Sequence, residues 1–171
     1  FREIRKKFRR LDILVNNAAV FPKTPFRRIR ESDWNTVLDT NLKGSFFCAQ
    51  AAGKMMLANR RGKIINLGDW SGIRPYRDYL PYCVSKAGVL ALTKALALEL
   101  APNVQVACIA PGPVLLPKTM TRREAKKVKG RVPLKRIGTP EDIAKAVLFL
   151  VEGTDFVTGS TLFVDGGELI A

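Results

Sequence analysis

The chain has 171 residues, 47% of them hydrophobic, and its 29 Lys and Arg against 15 Asp and Glu give a formal net charge of +14. It contains no histidine, which excludes Ser-His-Asp triads, imidazole acid–base chemistry and His-bound metals, so no metal site is expected. Cys48, Cys83 and Cys108 show no CxxC spacing, and no apolar run approaches a membrane span, so a reduced, soluble, cytoplasmic protein folding as one domain over 1–171 is expected.

Phe1, Ile4, Phe8 and Leu11 recur at helical spacing among six basic residues, which predicts an opening amphipathic helix. Leu11 to Asn16 follows as a short branched run without polar alternation, the pattern of a parallel strand covered on both faces. Ser32 is placed to cap a helix, a break is expected near Asp39-Thr40, and a longer apolar helix runs from Leu42 to Asn59 with Gly62 as its stop. Lys63 to Gly68 reads as the next strand, then a loop from Asp69 to Leu80. Pro81 opens a helix whose run from Ala87 to Leu100 is too apolar for a surface and too rich in Ala and Leu for a strand. Val104 to Ala110 is a third strand closed by Pro111-Gly112-Pro113. The segment Lys118 to Arg136 holds nine basic residues and one acid, the mark of a solvated helix face or a mouth for anionic ligands; a nucleic-acid surface is the less favoured reading. Thr139-Pro140-Glu141-Asp142 starts a helix ending near Val151, and Thr161 to Val164 is a last strand turned by Asp165-Gly166-Gly167.

Strands alternating with helices imply a doubly wound α/β fold with a mostly parallel, Rossmann-like sheet, whose ligands sit beyond the C-terminal ends of the strands. Asn17, Asp69 and Gly112 fall at three such ends. On the Pro81 helix, Tyr82 and Lys86 lie four residues apart on one face. An ammonium beside a phenol at a helix N-terminus favours the phenolate, so Tyr82 is expected to be acidified.

Asn16-Asn17-Ala18 after a strand, Asn41 between helices, Tyr82-x-x-x-Lys86, Pro111-Gly112 after a strand and Asp165-Gly166-Gly167 near the end resemble, in order and spacing, the short-chain dehydrogenase/reductases. The resemblance implies Tyr82 as proton donor, Lys86 as the residue that lowers its pKa and holds the nicotinamide ribose, and Asn41 as the holder of a relay water. It places Asn17, Ala18 and Pro111, Gly112, Pro113 and Val114 against the cofactor, and a basic substrate lid over 114–138. It also implies a homodimer or homotetramer formed through the helices 42–59 and 87–100.

Two departures from the family pattern shape the expected function. The chain shows no G-x-G-x-x-G cluster near its start, so it looks like the C-terminal two-thirds of the fold, truncated before the cofactor-binding unit. The family's usual serine thirteen residues before the tyrosine is Asp69, and an ionised carboxylate only accepts hydrogen bonds. Aspartate there, with Phe21 after Asn16-Asn17-Ala18-Ala19-Val20, resembles the pteridine reductases. That implies NADPH as cofactor, NADH being left open, with Phe21 stacking on a pterin and Asp69 binding its N–H groups. The expectation is a reductase of a pterin-like C=N bond. The alternatives are a 3-oxoacyl-[acyl-carrier-protein] or other carbonyl reductase, and an inactive interaction protein lacking the nucleotide unit.

Overall fold

The structure is a computed structural model describing residues 1–117 and 120–171, so two residues of the expected lid, 118 and 119, lie outside the described residues. Four parallel strands, β1 (Ile13–Asn16), β2 (Gly62–Leu67), β3 (Val104–Pro111) and β4 (Thr161–Val164), stand side by side in sequence order. The register aligns Leu14 with Ile64, Ile64 with Val106, and Ile109 with Leu162. Parallel neighbours require crossovers, and helices supply them. After the exposed α1 (Arg2–Phe8), α2 (Glu31–Leu38) and α3 (Gly44–Ala58) join β1 to β2, and α4 (Leu80–Leu100) joins β2 to β3. The last crossover contains α5 (Arg122–Arg131) and α6 (Pro140–Leu148).

Side-chain alternation along the strands divides the core into two layers. Ile64, Val104 and Val106 pack on Ala49, Ala52 and Met56 of α3 and on Leu96, Ala97 and Leu100 of α4. Ile65, Leu67, Ala107 and Ile109 face the other way, onto Ala146 and Leu150. Each fully buried aliphatic side chain contributes about 1.5–3 kcal/mol, so the doubly covered β2 and β3 form the rigid centre of the sheet. A satisfied polar chain crosses the first layer. Asn16 Nδ2 donates to Asn66 Oδ1 at 2.9 Å, and Asn66 Nδ2 donates to Thr93 Oγ1 at 3.0 Å. Buried amides that find partners fix one alignment of β1, β2 and α4.

Three sequence expectations change in the structure. The covering of β1 on both faces is not met: Leu14 packs inward, but Ile13 and Val15 remain 41% and 39% exposed on the face that carries α6. Lys63, paired with Ile13 on that face, turns its ammonium to the carbonyls of Leu150, Val151 and Thr154 and to Asp155 at 2.8 Å, capping the π-turn Phe149–Gly153 that follows α6. The break near Asp39-Thr40 is instead a π-turn over Asp39–Lys43 that carries the helix on into α3. Finally, Ser32 lies inside α2, where Asp33 reaches back to the Arg30 N–H at 3.0 Å and does the capping.

Candidate active site

The C-terminal ends of β2 and β3, the start of α4 and the loop after β1 surround a cleft of about 520 Å³. Phe21, Asp69, Tyr82, Gly112, Pro113 and Val114 all line it, so six residues singled out in the sequence meet around one cavity. Its chemistry begins with Tyr82. The hydroxyl donates to Asp69 Oδ2 at 3.0 Å, while Asp69 Oδ1 accepts the Ser71 N–H at 2.8 Å and starts the short helical turn Trp70–Gly72. That turn presses on α4 so closely that a Cβ at Gly72 would lie 3.0 Å from backbone atoms of Lys86 and Ala87. The contact holds Asp69 against the first turn of the helix.

Tyr82 is not acidified in this arrangement. Burial first, then the charge of Asp69, push its phenol far above the ordinary value of 10. Lys86 does not offset this, because its Nζ lies 5.6 Å from the Tyr82 ring centroid and donates to the Leu67 carbonyl at 2.7 Å. Its own pKa falls, chiefly through burial, against the opposing pull of Asp69. The hydroxyl is thus held as a proton-bearing acid whose hydrogen bond ends on a carboxylate.

Asn41, buried in the π-turn, commits its side chain to protein partners. Oδ1 accepts the Val20 N–H at 2.8 Å, and Nδ2 donates to the Val20 carbonyl at 3.0 Å and to Ser85 Oγ at 3.1 Å. Ser85 Oγ in turn donates to the Tyr82 carbonyl at 2.7 Å. Asn41 therefore clamps the loop after β1 to the first turn of α4. A π-turn at a site of this kind re-aims one side chain into the helix packing, a placement a plain α-helix does not provide.

Phe21 lies against two of the cleft's aromatic rings. The ring stacks on Tyr79 at 4.3 Å and 9° and meets Tyr82 edge-on at 4.4 Å, so one of its faces is already covered. The loop is pinned there by the Thr24 N–H donating to the Asp78 carbonyl at 2.6 Å and by the Lys23–Asp78 ion pair at 3.5 Å. Asn17 and Ala18 are exposed at the end of β1 and do not line the cleft. On the opposite side, Gly112 lies so near the Asp165 turn that a Cβ would stand 2.6 Å from the Asp165 Cα. The turn Pro111–Val114 is consequently a shelf on which Gly112 presents bare backbone.

Sequence reading missed several residues of the cleft. Trp70, Tyr76 and Tyr79 supply most of its aromatic surface; their density in the single loop between β2 and α4 was the available signal. Arg131 and Glu168 enter from distant segments with no local pattern to mark them. A wider groove of about 650 Å³, edged by Lys23, Lys127 and Arg131, shares Tyr79, Met120 and Val128 with the cleft and forms its outer mouth.

A family model described as enoyl-(acyl carrier protein) reductase matches residues 1–168. The chain belongs to the short-chain dehydrogenase/reductase family. It is 39% identical over 167 residues to the (2S)-[(R)-hydroxy(phenyl)methyl]succinyl-CoA dehydrogenase subunit BbsD of Thauera aromatica, covering 94% of this chain and 66% of that one. To the 3-oxoacyl-[acyl-carrier-protein] reductase FabG of Thermotoga maritima it is 37% identical over 169 residues, covering 96% and 69%. The crystal structure of a short chain dehydrogenase from Bacillus anthracis superposes with a TM-score of 0.88 at 36% identity, covering 98% of this chain and 68% of that one. The chain spans about two thirds of the length of the curated relatives it matches. None of these relatives is described as acting on a pterin, so the particular likeness to pteridine reductases is not shown by them.

The family's members are NAD(P)-dependent oxidoreductases, and the residues present fit the nicotinamide-ribose half of such a cofactor. Lys86 has three donor hydrogens and spends one on Leu67; the Tyr82 hydroxyl and the backbone shelf Pro111–Val114 lie in the same region of the fold. The ammonium, the hydroxyl and the shelf are the groups that would hold a ribose diol and an amide-bearing ring.

Proposed function

We propose that this chain carries the catalytic part of an NADPH-dependent reductase acting on a C=N bond of a flat, amino-substituted nitrogen heterocycle of the pterin type. One observation carries the reading: the Tyr82 hydroxyl is hydrogen-bonded to the Asp69 carboxylate at 3.0 Å, on the wall of a cleft rich in aromatic rings. The cofactor, when bound, supplies the hydride. Tyr82 supplies the proton, and burial keeps it protonated up to its turn to act. Asp69 takes an N–H of the substrate and, as that bond forms, frees the tyrosine hydroxyl to point at the ring nitrogen. A neutral ketone would instead set its developing oxyanion beside a carboxylate, which repels it. Lys86, tied to Leu67, holds the ribose through its two remaining donors. Phe21, Tyr79 and Trp70 suit a planar ring, which must slide over or displace the Phe21–Tyr79 stack.

The basic mouth favours a substrate with an anionic tail, and the segment 114–138 acts as its cover. Reduction of a 3-oxoacyl thioester is the second reading, favoured by the names of the relatives. We assign assembly as a homodimer or homotetramer to the exposed apolar positions of α3 and α4, Phe47 and Leu98, which are 52% and 83% exposed. No helix among the described residues is long and apolar enough to cross a membrane, in keeping with a cytoplasmic reaction. The deciding measurement compares NADPH oxidation with 7,8-dihydropterin and with an acetoacetyl thioester. Faster turnover of the thioester would overturn the heterocycle reading.

A further inference from the structure

The cleft holds a second carboxylate that the proton transfer does not use. Glu168 stands just after the Asp165-Gly166-Gly167 turn, only 5% exposed, and lines the cleft together with Asp69, Tyr82 and Arg131. The turn that delivers it is firmly built. Asp165 accepts the Gly167 and Leu169 N–H groups at 2.9 and 2.8 Å, and Arg74 donates to the Glu168 and Ala171 carbonyls. Those contacts secure its backbone, not its carboxylate. Among the described residues the carboxylate has no hydrogen bond, and its one ion pair is with Arg131, at 3.9 Å and itself 69% exposed. A buried carboxylate usually gathers several donors. This one keeps acceptor capacity open toward the cavity, within reach of the Asp69 charge.

We propose that Glu168 is a second substrate-reading carboxylate, which accepts the N–H groups of an amidine edge on a flat nitrogen heterocycle while Asp69 takes the donor beside the reacting nitrogen. The inference rests on the heterocycle reading and deepens it. Two carboxylates on one aromatic-lined cavity are complementary to a planar cation bearing donors on two edges, and a charge-assisted pair of N–H bonds to a carboxylate is strong and directional. A 3-oxoacyl chain offers nothing to either group. Arg131 is the competitor: it pairs with Glu168 at 3.9 Å, and it turns to the basic mouth when the amidine arrives.

Binding of 2,4-diaminopyrimidine tests this apart from turnover, with Trp70 in the cleft wall as the fluorescent reporter and Trp34 changed to Phe. Titrations run with and without NADPH. The unaltered cleft should give saturable quenching, and Glu168→Gln should weaken it about tenfold, the loss of one charge-assisted contact. Arg131→Gln should tighten it two- to threefold, roughly the effect of removing an exposed competing charge. A merely structural Glu168 would make both variants weaker, because both lose the same ion pair. Absence of quenching by the probe, unchanged affinity in Glu168→Gln, or weaker binding in Arg131→Gln overturns the proposal. Failure of the heterocycle reading shows separately, as preference for the thioester in the turnover comparison.

Discussion

The floor and the mouth of the cleft are built on opposite principles. At the floor, Asp69, Tyr82 and Glu168 are set by backbone hydrogen bonds, helix packing and aromatic contacts, and burial raises the proton affinities of Tyr82 and Glu168. At the mouth, Lys23, Lys127 and Arg131 stand in solvent, where charges are screened and side chains are free to move. The difference teaches that chemistry and attraction are separable in this protein. Negative acceptors at the bottom select donors on the substrate, whereas positive charge outside draws anions in without choosing among them.

The sharpest way to break that division is Tyr82→Phe, which deletes the proton at the floor. It should cost about 10²–10⁴-fold in kcat with substrate affinity nearly kept. A near-normal rate in stopped-flow NADPH oxidation would remove Tyr82 from the chemistry. Asp69→Ser should come next, since it replaces an acceptor with a group that also donates. The ratio of kcat/KM for dihydropterin over that for an acetoacetyl thioester should fall at least about tenfold, or about 1.4 kcal/mol of discrimination. An unchanged ratio would mean that Asp69 does not select the substrate.

At the mouth the effects are smaller. Changing Lys23 and Lys127 together to Gln should raise KM a few-fold for a pterin with an anionic glutamate tail and leave the tail-free compound alone. Repeating the assay at about 0.5 M salt should erase the difference, because exposed charges are screened within a few ångströms. An effect that survives salt would place those lysines in direct, desolvated contact.

The smallest effect concerns stability. Burial, reinforced by Asp165 and Asp69 and opposed by Arg131 and Arg74, raises the Glu168 pKa above 4.5. Since the folded state binds that proton more tightly than the unfolded chain, its contribution to folding is full below pH 4.5 and is lost as pH rises through the folded value. Glu168→Gln should therefore unfold at a slightly higher temperature than the parent near pH 7, and at the same temperature near pH 4. A lower melting temperature at neutral pH would show that the Arg131 pair outweighs the cost of burial.

Much of the frame was legible in the residues. The branched runs at β2 and β3, the Thr139-Pro140 start and the Ala/Leu-rich α4 carry their periodicity on the surface of the sequence, and the Tyr82–Lys86 spacing places both on one helix. Among the described residues no helix covers the Ile13 and Val15 face of β1, and an apolar run reports only that a strand is apolar, not what packs on it. The π-turn at Asp39–Lys43 leaves no local mark in the sequence, since the partners of Asn41 within it, Val20 and Ser85, are both distant along the chain.

The sequence by itself determined which groups are available: a tyrosine and a lysine one turn apart, a carboxylate in the place of an alcohol, no imidazole, and an excess of positive charge. Spacing along a helix and the chemistry of a side chain are local properties, and local properties can be read from a string. Only the tertiary structure decided that the lysine is drawn to a strand carbonyl, that burial makes the tyrosine a weaker acid, and that Glu168 returns from the end of the chain to line the same cleft as Asp69. Those outcomes depend on solvent exclusion and on contacts between residues far apart in the chain, and both exist only once the sheet and its helices have closed around them.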